Sequence, residues 1–218
     1  MFHVKHPEGE DEPQAAATLF GEHLPVARQL RDDLVRWGEE LGLVGPRELE
    51  RLWTRHLVNS ALLGILVKPG TLADVGSGAG FPGLVVALMR PDVKCTLIEP
   101  MERRVQWLQE EAARLGLENV EVLRSRAQDV ASDRQFGTVT ARAVSALKKL
   151  VPMTHKLVAP GGEMLFMKGQ RLDEEMRDAA EVLTRLGVSD IETLVVGPEH
   201  GTEETRVFRA TLAPTTSE

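Results

Sequence analysis

Among the residues of this chain able to do chemistry, the run Asp74-Val75-Gly76-Ser77-Gly78-Ala79-Gly80-Phe81-Pro82-Gly83 stands first. Glycines at a turn let backbone approach a ligand that a side chain would block. Thr71-Leu72-Ala73 leads in as a short buried strand, and Leu84–Met89 follows as an apolar helix packed under a sheet. Strand, glycine turn and helix together bind nucleotide-like molecules in doubly wound α/β domains. Glu99, closing the apolar run 94–98 about twenty residues on, sits where a ribose is gripped in such folds. The turn reads in two ways. Gly78-Ala79-Gly80-Phe81-Pro82-Gly83 fits G-x-G-x-x-G, a pyrophosphate-binding pattern that serves nicotinamide dinucleotides. Read from Asp74 it is acidic-x-Gly-x-Gly-x-Gly. An acid at the strand's end accepts hydrogen bonds from hydroxyl or amino groups but repels a pyrophosphate.

The elements that position these residues follow from periodicity. Residues 1–14 are acidic and unpatterned, and a disordered tail is expected there. Leu24, Ala27, Leu30, Leu34, Trp37 and Leu41 share one face of a helix over 16–41. Leu49, Leu52, Trp53, Leu57, Ala61 and Leu63 do the same over 47–66, with Pro46 opening the helix. Residues 15–69 therefore read as an N-terminal helical extension. From 70 to 213 strands and helices alternate: strands 71–75, 93–98, 120–123, 136–141 and 163–167, helices 82–89, 102–115, 146–158 and 172–186. Helices between successive strands imply a parallel sheet. The last strands, 191–196 and 205–213, are joined by a loop too short for a crossover, so an antiparallel final strand is expected. The predicted fold is α/β and Rossmann-like, mostly parallel, with residues 214–218 as a short tail.

Bulk properties narrow the function. The net charge of −7 argues against a nucleic-acid partner, but its distribution softens the objection. Residues 140–172 hold six basic side chains (Arg142, Lys148, Lys149, Lys156, Lys168, Arg171) against one acid, whereas four basic and eleven acidic follow. A basic face and a scattered solvated surface both fit those counts. Cys95 is the only cysteine, so no intramolecular disulfide forms and a reducing compartment is natural; its apolar strand makes it a buried hydrophobe. Residues 1–13 contain no apolar stretch of a secretory leader, and no run spans a membrane. A soluble, cytoplasmic protein with no membrane partner and no metal site is expected. Trp37, Trp53 and Trp107 fall on apolar helical stripes and read as core.

Several segments taken in order resemble one family. The pattern read from Asp74 is the loop of S-adenosylmethionine (AdoMet) methyltransferases, whose cofactor carries no phosphate. Arg55-His56-Leu57-Val58-Asn59-Ser60 is similar to a helical R-H-x-x-x-S signature, and Asp74–Gly83 to D-V-G-[ST]-G-x-G-[FL]-P-G. Arg90-Pro91, Thr96-Leu97-Ile98-Glu99 and Arg103-Arg104-Val105 form a further block. Ser125-Arg126-Ala127-Gln128, Ala141-Arg142-Ala143 and Lys168-Gly169 follow. The order resembles the RsmG (glucose-inhibited division protein B) family, over roughly residues 20 to 210. That resemblance implies methyl transfer from AdoMet to N7 of a guanine in 16S ribosomal RNA, with the small ribosomal subunit as partner. It places cofactor contacts on Asp74, Gly76, Gly78, Phe81, Glu99, Ala127, Gln128 and Arg142. Candidate holders of guanine or phosphate are Arg142, Lys168, Arg55 and His56; Arg126 reads more simply as a solvated loop residue. For His56, a core-bonded helix histidine fits as well. The chain departs from the family at Ala127-Gln128, where Val-Glu is common, and at Gly42–Trp53, which replaces an asparagine-rich segment.

The chemistry fits these residue types. Guanine N7 has a free lone pair, so the transfer needs orientation and no general base. No nucleophile–base pair is visible, and a monomer is expected. Two other classes stay open: a nicotinamide-dependent oxidoreductase built on Gly78–Gly83, and a non-catalytic ribosome-binding protein with an AdoMet fold.

Overall fold

The computed structural model describes residues 10–213. Side-chain alternation along each central strand organises it. In β1 (Gly70–Val75), Leu72 faces one apolar cluster while Ala73 and Val75 face another; in β5 (Val158–Lys168), Leu165 and Phe166 divide likewise. The other strands are β2 (Val93–Ile98), β3 (Val120–Leu123), β4 (Phe136–Arg142), β6 (Val188–Val196) and β7 (Thr205–Leu212). They form one seven-stranded sheet in the order β3-β2-β1-β4-β5-β7-β6. Pairings from β3 through β5 are parallel, and β7 runs antiparallel between β5 and β6. The expected antiparallel final strand is thus present.

The helices are α1 (Gln14–Phe20), α2 (Leu24–Trp37), α3 (Pro46–Leu49), α4 (Asn59–Leu66), α5 (Gly83–Met89), α6 (Glu102–Arg114), α7 (Leu147–Thr154) and α8 (Leu172–Arg185). Phe20, Leu30, Leu34, Trp53 and Leu57 of the N-terminal layer share one core with Leu84, Leu88, Trp107 and Leu108. Helices α7 and α8 cover the opposite face through Leu147, Val151, Leu172 and Leu183. Trp53 and Trp107 are buried and Trp37 half-buried, as expected of core stripes; Cys95 is buried in β2.

Four expectations need correction. The helix over 16–41 breaks at Gly21, whose φ of +51° is no helical value and which opens a short 3₁₀ turn. The helix over 47–66 stops at Arg51 (φ −134°, ψ 34°), and Leu52–Val58 wind as a π-helix before α4 begins. The tail expected over 1–14 is ordered from residue 10. The Glu10 N–H donates to Glu50 O (3.2 Å), and its Oε2 accepts the Thr54 N–H (2.9 Å). Residues 1–9 and 214–218 lie outside the described residues. The predicted helix 146–158 is also shorter: after Thr154 a 3₁₀ turn leads straight into β5 at Val158. Among the described residues no helix is long and apolar enough to cross a membrane.

Candidate active site

Strand β1 pairs with β2 on one side and β4 on the other, so chain order reverses at its carboxyl end, where open α/β sheets bind ligands. The glycine loop lies there. Gly76, Gly78 and Gly80 all have positive φ (+73°, +58° and +104°), a conformation that costs other residues strain. The N–H groups of Gly76 and Ser77 donate to Ile98 O at 2.8 and 3.3 Å. Gly78 N–H donates to Glu99 Oε2, and Met101 N–H to Glu99 Oε1, both at 3.0 Å. Gly80 and Phe81 donate to Ser77 O, and Trp107 Nε1 donates to Ala79 O at 3.1 Å.

These bonds discriminate between the two readings of the loop. A pyrophosphate site needs free backbone N–H groups at the loop and helix start. Here the N–H groups of Gly76, Ser77, Gly78, Gly80, Phe81 and Gly83 all have acceptors inside the protein. Beneath the loop instead is a carboxylate, Glu99, itself buried and outside the crevice lining, and the crevice wall carries a guanidinium, Arg104, whose buried Nε lacks a partner. That donor set fits a phosphate-free molecule carrying hydroxyls, an amino group and a carboxylate.

Asp74 lies elsewhere than expected. It is fully buried, its Oδ2 accepts the Gly83 N–H at the start of α5 (3.0 Å), and it does not line the crevice. Burial lifts its carboxyl to about 6, against the lowering effect of the Gly83 bond. Asp74 braces the loop from below. Ala127 and Gln128 sit on a 3₁₀ turn after β3; Ala127 packs into the α7 face of the core and Gln128 is exposed. Neither lines the cavities described next.

A cavity of about 170 Å³ flanks the loop, bounded by Gly76–Ala79, Phe81, Leu43, Val44 and Arg104. A wider one of about 460 Å³ adjoins it, bounded by Arg55, Asn59, Val144, Met167, Lys168 and Glu175. Glu48, His56, Arg142 and Ala143 line both. The Arg142 Nη1 donates to Arg55 O (3.1 Å), its Nη2 to His56 Nδ1 (2.5 Å), and its guanidinium lies 5.1 Å from the Phe81 ring centre. Burial pulls Arg142 down to about 10, which leaves it charged at neutral pH. Burial first, then the charges of Arg142 and Arg55, pull His56 down to about 3, so it is neutral. Since a guanidinium only donates, His56 Nδ1 is the acceptor and Nε2 carries the hydrogen. The histidine is buried and faces the site, and its ring is bonded to Arg142 of the site wall.

Lys168 lines the wider cavity but is already engaged: its Nζ donates to Ser145 O (2.9 Å) and pairs with Glu175 Oε2 (2.6 Å). That fixes the 143–147 segment and leaves little for a phosphate. The six basic residues do not converge either. Arg171 pairs with Glu174, and Lys156 lies beyond the far end of α7, while Lys148 and Lys149 are exposed on its first turn. Arg55 is exposed at the wider cavity. Sequence reading missed three participants. Glu48 carried a signal, the Gly45-Pro46-x-Glu48 spacing of a helix start, and its Oε2 accepts the Gly45 N–H at 2.9 Å. Arg104 stood within a quoted motif without a role. Ala143, at φ +55°, likewise stood within a quoted motif without a role.

Residues 24–202 match the family model described as GidB, rRNA small subunit methyltransferase G. The chain belongs to this family. Curated relatives of the same name, ribosomal RNA small subunit methyltransferase G, agree. One from Clavibacter sepedonicus is 50% identical over 209 residues, covering 96% of this chain and 99% of its own. Another from Leifsonia xyli subsp. xyli is 51% identical over 203 residues, 93% and 97%. Among solved structures, a SAM-dependent O-methyltransferase from Thermotoga maritima superposes with a TM-score of 0.56 at 15% identity, covering 74% of this chain and 67% of that one. A 16S rRNA (adenine(1408)-N(1))-methyltransferase variant from Catenulisporales acidiphilia gives 0.51 at 16%, covering 74% and 93%. Both have the Rossmann-like methyltransferase fold, and so does this member of the RsmG family.

Proposed function

We propose that the chain transfers a methyl group from AdoMet to N7 of a guanine in 16S ribosomal RNA, acting on small-subunit RNA as a cytoplasmic monomer. The observation that carries this reading is a glycine loop whose N–H groups are satisfied internally above a buried carboxylate, in a chain of the RsmG family. Bound AdoMet supplies the electrophilic methyl on a sulfonium. Glu99 would hold the ribose through its remaining lone pairs, and Arg104 the amino-acid carboxylate. The turn at Gly76 and Gly78 keeps the backbone close, and Asp74 holds the loop's end through Gly83.

Guanine N7 bonds the methyl carbon as the carbon–sulfur bond breaks, and the electron pair stays on sulfur. No proton leaves, so the site's task is alignment. Arg142, braced by Arg55 O and His56 Nδ1, forms the wall common to both cavities and positions the base there. Arg55, Lys148 and Lys149, exposed around the wider cavity's end of the sheet, are the phosphate contacts we favour. Among the described residues, the exposed large apolar side chains lie on separate stretches (Ile65, Met101, Val144, and Ile191 and Val195 of β6), which supports a monomer. The test is incorporation of labelled methyl from AdoMet into small subunits lacking the modification, with the methylated base mapped. No incorporation, or a methyl on another atom, defeats the proposal.

A further inference from the structure

Glu48 is used by none of the roles above beyond its bond to Gly45. Yet it lines both cavities, and its Oε1 lies 3.7 Å from His56 Nε2. His56 is 4% exposed, and its Nε2–H, left over after Nδ1 accepts from Arg142, has no partner. An orphaned buried donor of this kind is costly and is expected to be satisfied by something that enters the site. The wall thus presents three groups in sequence: the Arg142 guanidinium, the His56 Nε2–H donor and the Glu48 carboxylate acceptor.

The rim of a guanine presents groups in a matching sequence. N7 comes first, then O6, an acceptor, then N1–H, a donor. With N7 aimed at the methyl beside Arg142, O6 falls to the histidine donor and N1–H to the carboxylate. We propose that Glu48 is a specificity-determining residue that reads N1–H of the target guanine while the neutral His56 reads O6. The assignment rests on the methyl-transfer reading above. Adenine has an N7 too, but it would set an amino donor against the His56 N–H and an unprotonated N1 against the carboxylate. The first mismatch leaves the buried His56 donor unpaired, and the second sets two acceptors against each other at the half-exposed Glu48 carboxylate; both disfavour adenine. Methylation also adds positive charge to the guanine, so the bond to Glu48 tightens as the transfer proceeds and acts on kcat as well as on binding.

The test is Glu48→Gln, which keeps the side chain's length and an oxygen for Gly45. Methyl transfer to unmodified small subunits is measured alongside equilibrium AdoMet binding. A fall in kcat/KM on the order of ten- to a hundredfold, with kcat reduced and AdoMet affinity unchanged, is expected. Unchanged kcat/KM overturns the assignment, and so does a fall matched by lost AdoMet affinity, since Glu48 would then act through the loop. Should the variant not fold, the parent enzyme is given particles carrying inosine or 2-aminopurine at the methylated position. Inosine keeps O6 and N1–H and must react; 2-aminopurine keeps N7 but lacks both, and comparable methylation of it refutes the proposal. Absence of transfer by the parent enzyme to guanine itself would refute the broader function instead, so the two failures are distinguishable.

Discussion

Alanine at position 83 tests the strut beneath the loop. Gly83 opens α5 with an ordinary backbone conformation, so no strain from positive φ enters. A Cβ there would come 2.2 Å from Leu97 Cδ2, 2.6 Å from Asp74 Oδ2 and 3.0 Å from Asp74 Cβ. Leu97 and Asp74 are both fully buried in adjacent strands, so neither side chain has space into which to swing. Overpacking of this kind costs about 1–3 kcal/mol. The Asp74 carboxylate would also be pushed off the Gly83 N–H, and since its Oδ1 already lacks a partner, a second buried oxygen is orphaned, at about 1–3 kcal/mol more. The two costs overlap, so we expect about 2–5 kcal/mol, which for a chain of this size lowers Tm by roughly 5–15 °C. Differential scanning calorimetry measures it. The control is Gly161→Ala, where φ is +75° and nothing lies within 4 Å, so only backbone strain of about 1–2 kcal/mol should appear. A Gly83→Ala protein within about 0.5 kcal/mol of the parent would mean that α5 does not press on β1 as described, and the account of Asp74 as a brace would fall.

Gly76→Asp puts a charged side chain where φ is +73° and a Cβ already meets Val144 Cγ2 at 2.9 Å; AdoMet binding by calorimetry should vanish, and unchanged affinity contradicts the loop's role. Arg142→Ala should cut methyl transfer by about a hundredfold, as a misplaced wall does, while Tm falls only a few degrees. Arg142→Lys should not restore activity, because one ammonium does not reproduce a fork spanning Arg55 O and His56 Nδ1. Glu111 is fully buried between α6 and Asp33 of α2, and burial, then the Asp33 charge, raise its carboxyl from 4.5 to about 8. The folded state therefore holds this proton more tightly than the unfolded one, so its contribution stabilises at acid pH and fades as pH rises from about 4.5 to 8. Chemical denaturation at pH 5 and pH 8 should show stability declining across that window, and Glu111→Gln should flatten the decline; a decline of equal slope in the variant excludes Glu111 as its source.

The sheet was readable because each strand repeats every second residue and each crossover helix every third or fourth, both local properties of the chain. Strand ends moved by a few residues, but the order of elements and the reversal at β7 followed from loop lengths. The loop was readable for a related reason: close backbone approach demands glycine, and Gly76, Gly78 and Gly80 do hold positive φ. What composition could not convey was the direction in which a carboxylate points. Asp74 and Glu99 look equivalent as strand-end acids, yet the pleat turns Asp74 under α5 and leaves Glu99 against the loop's own N–H groups. Lys168 misled for a similar reason, since its partner Glu175 is brought to it by α8 from the other side of a turn.

The π-helix shows where local reading stops altogether. Apolar residues from Leu49 to Leu63 fit a single α-helix, in which the Thr54 N–H would bond to Glu50 O. Instead Glu10 takes both groups, donating its own N–H to Glu50 O and accepting the Thr54 N–H on its carboxylate. A residue some forty positions earlier in the chain thus occupies the place of a helical hydrogen bond, and no periodicity carries that information. The consequence reaches the site. Released from an α-helical turn, the chain winds wider through Arg55 and His56, and wide turns of this kind recur at functional sites. That winding leaves the Arg55 carbonyl for Arg142 Nη1 and sets His56 Nδ1 against Nη2. The N-terminal layer is thereby part of the site: it supplies the wall against which a base can be held, while the sheet supplies the loop.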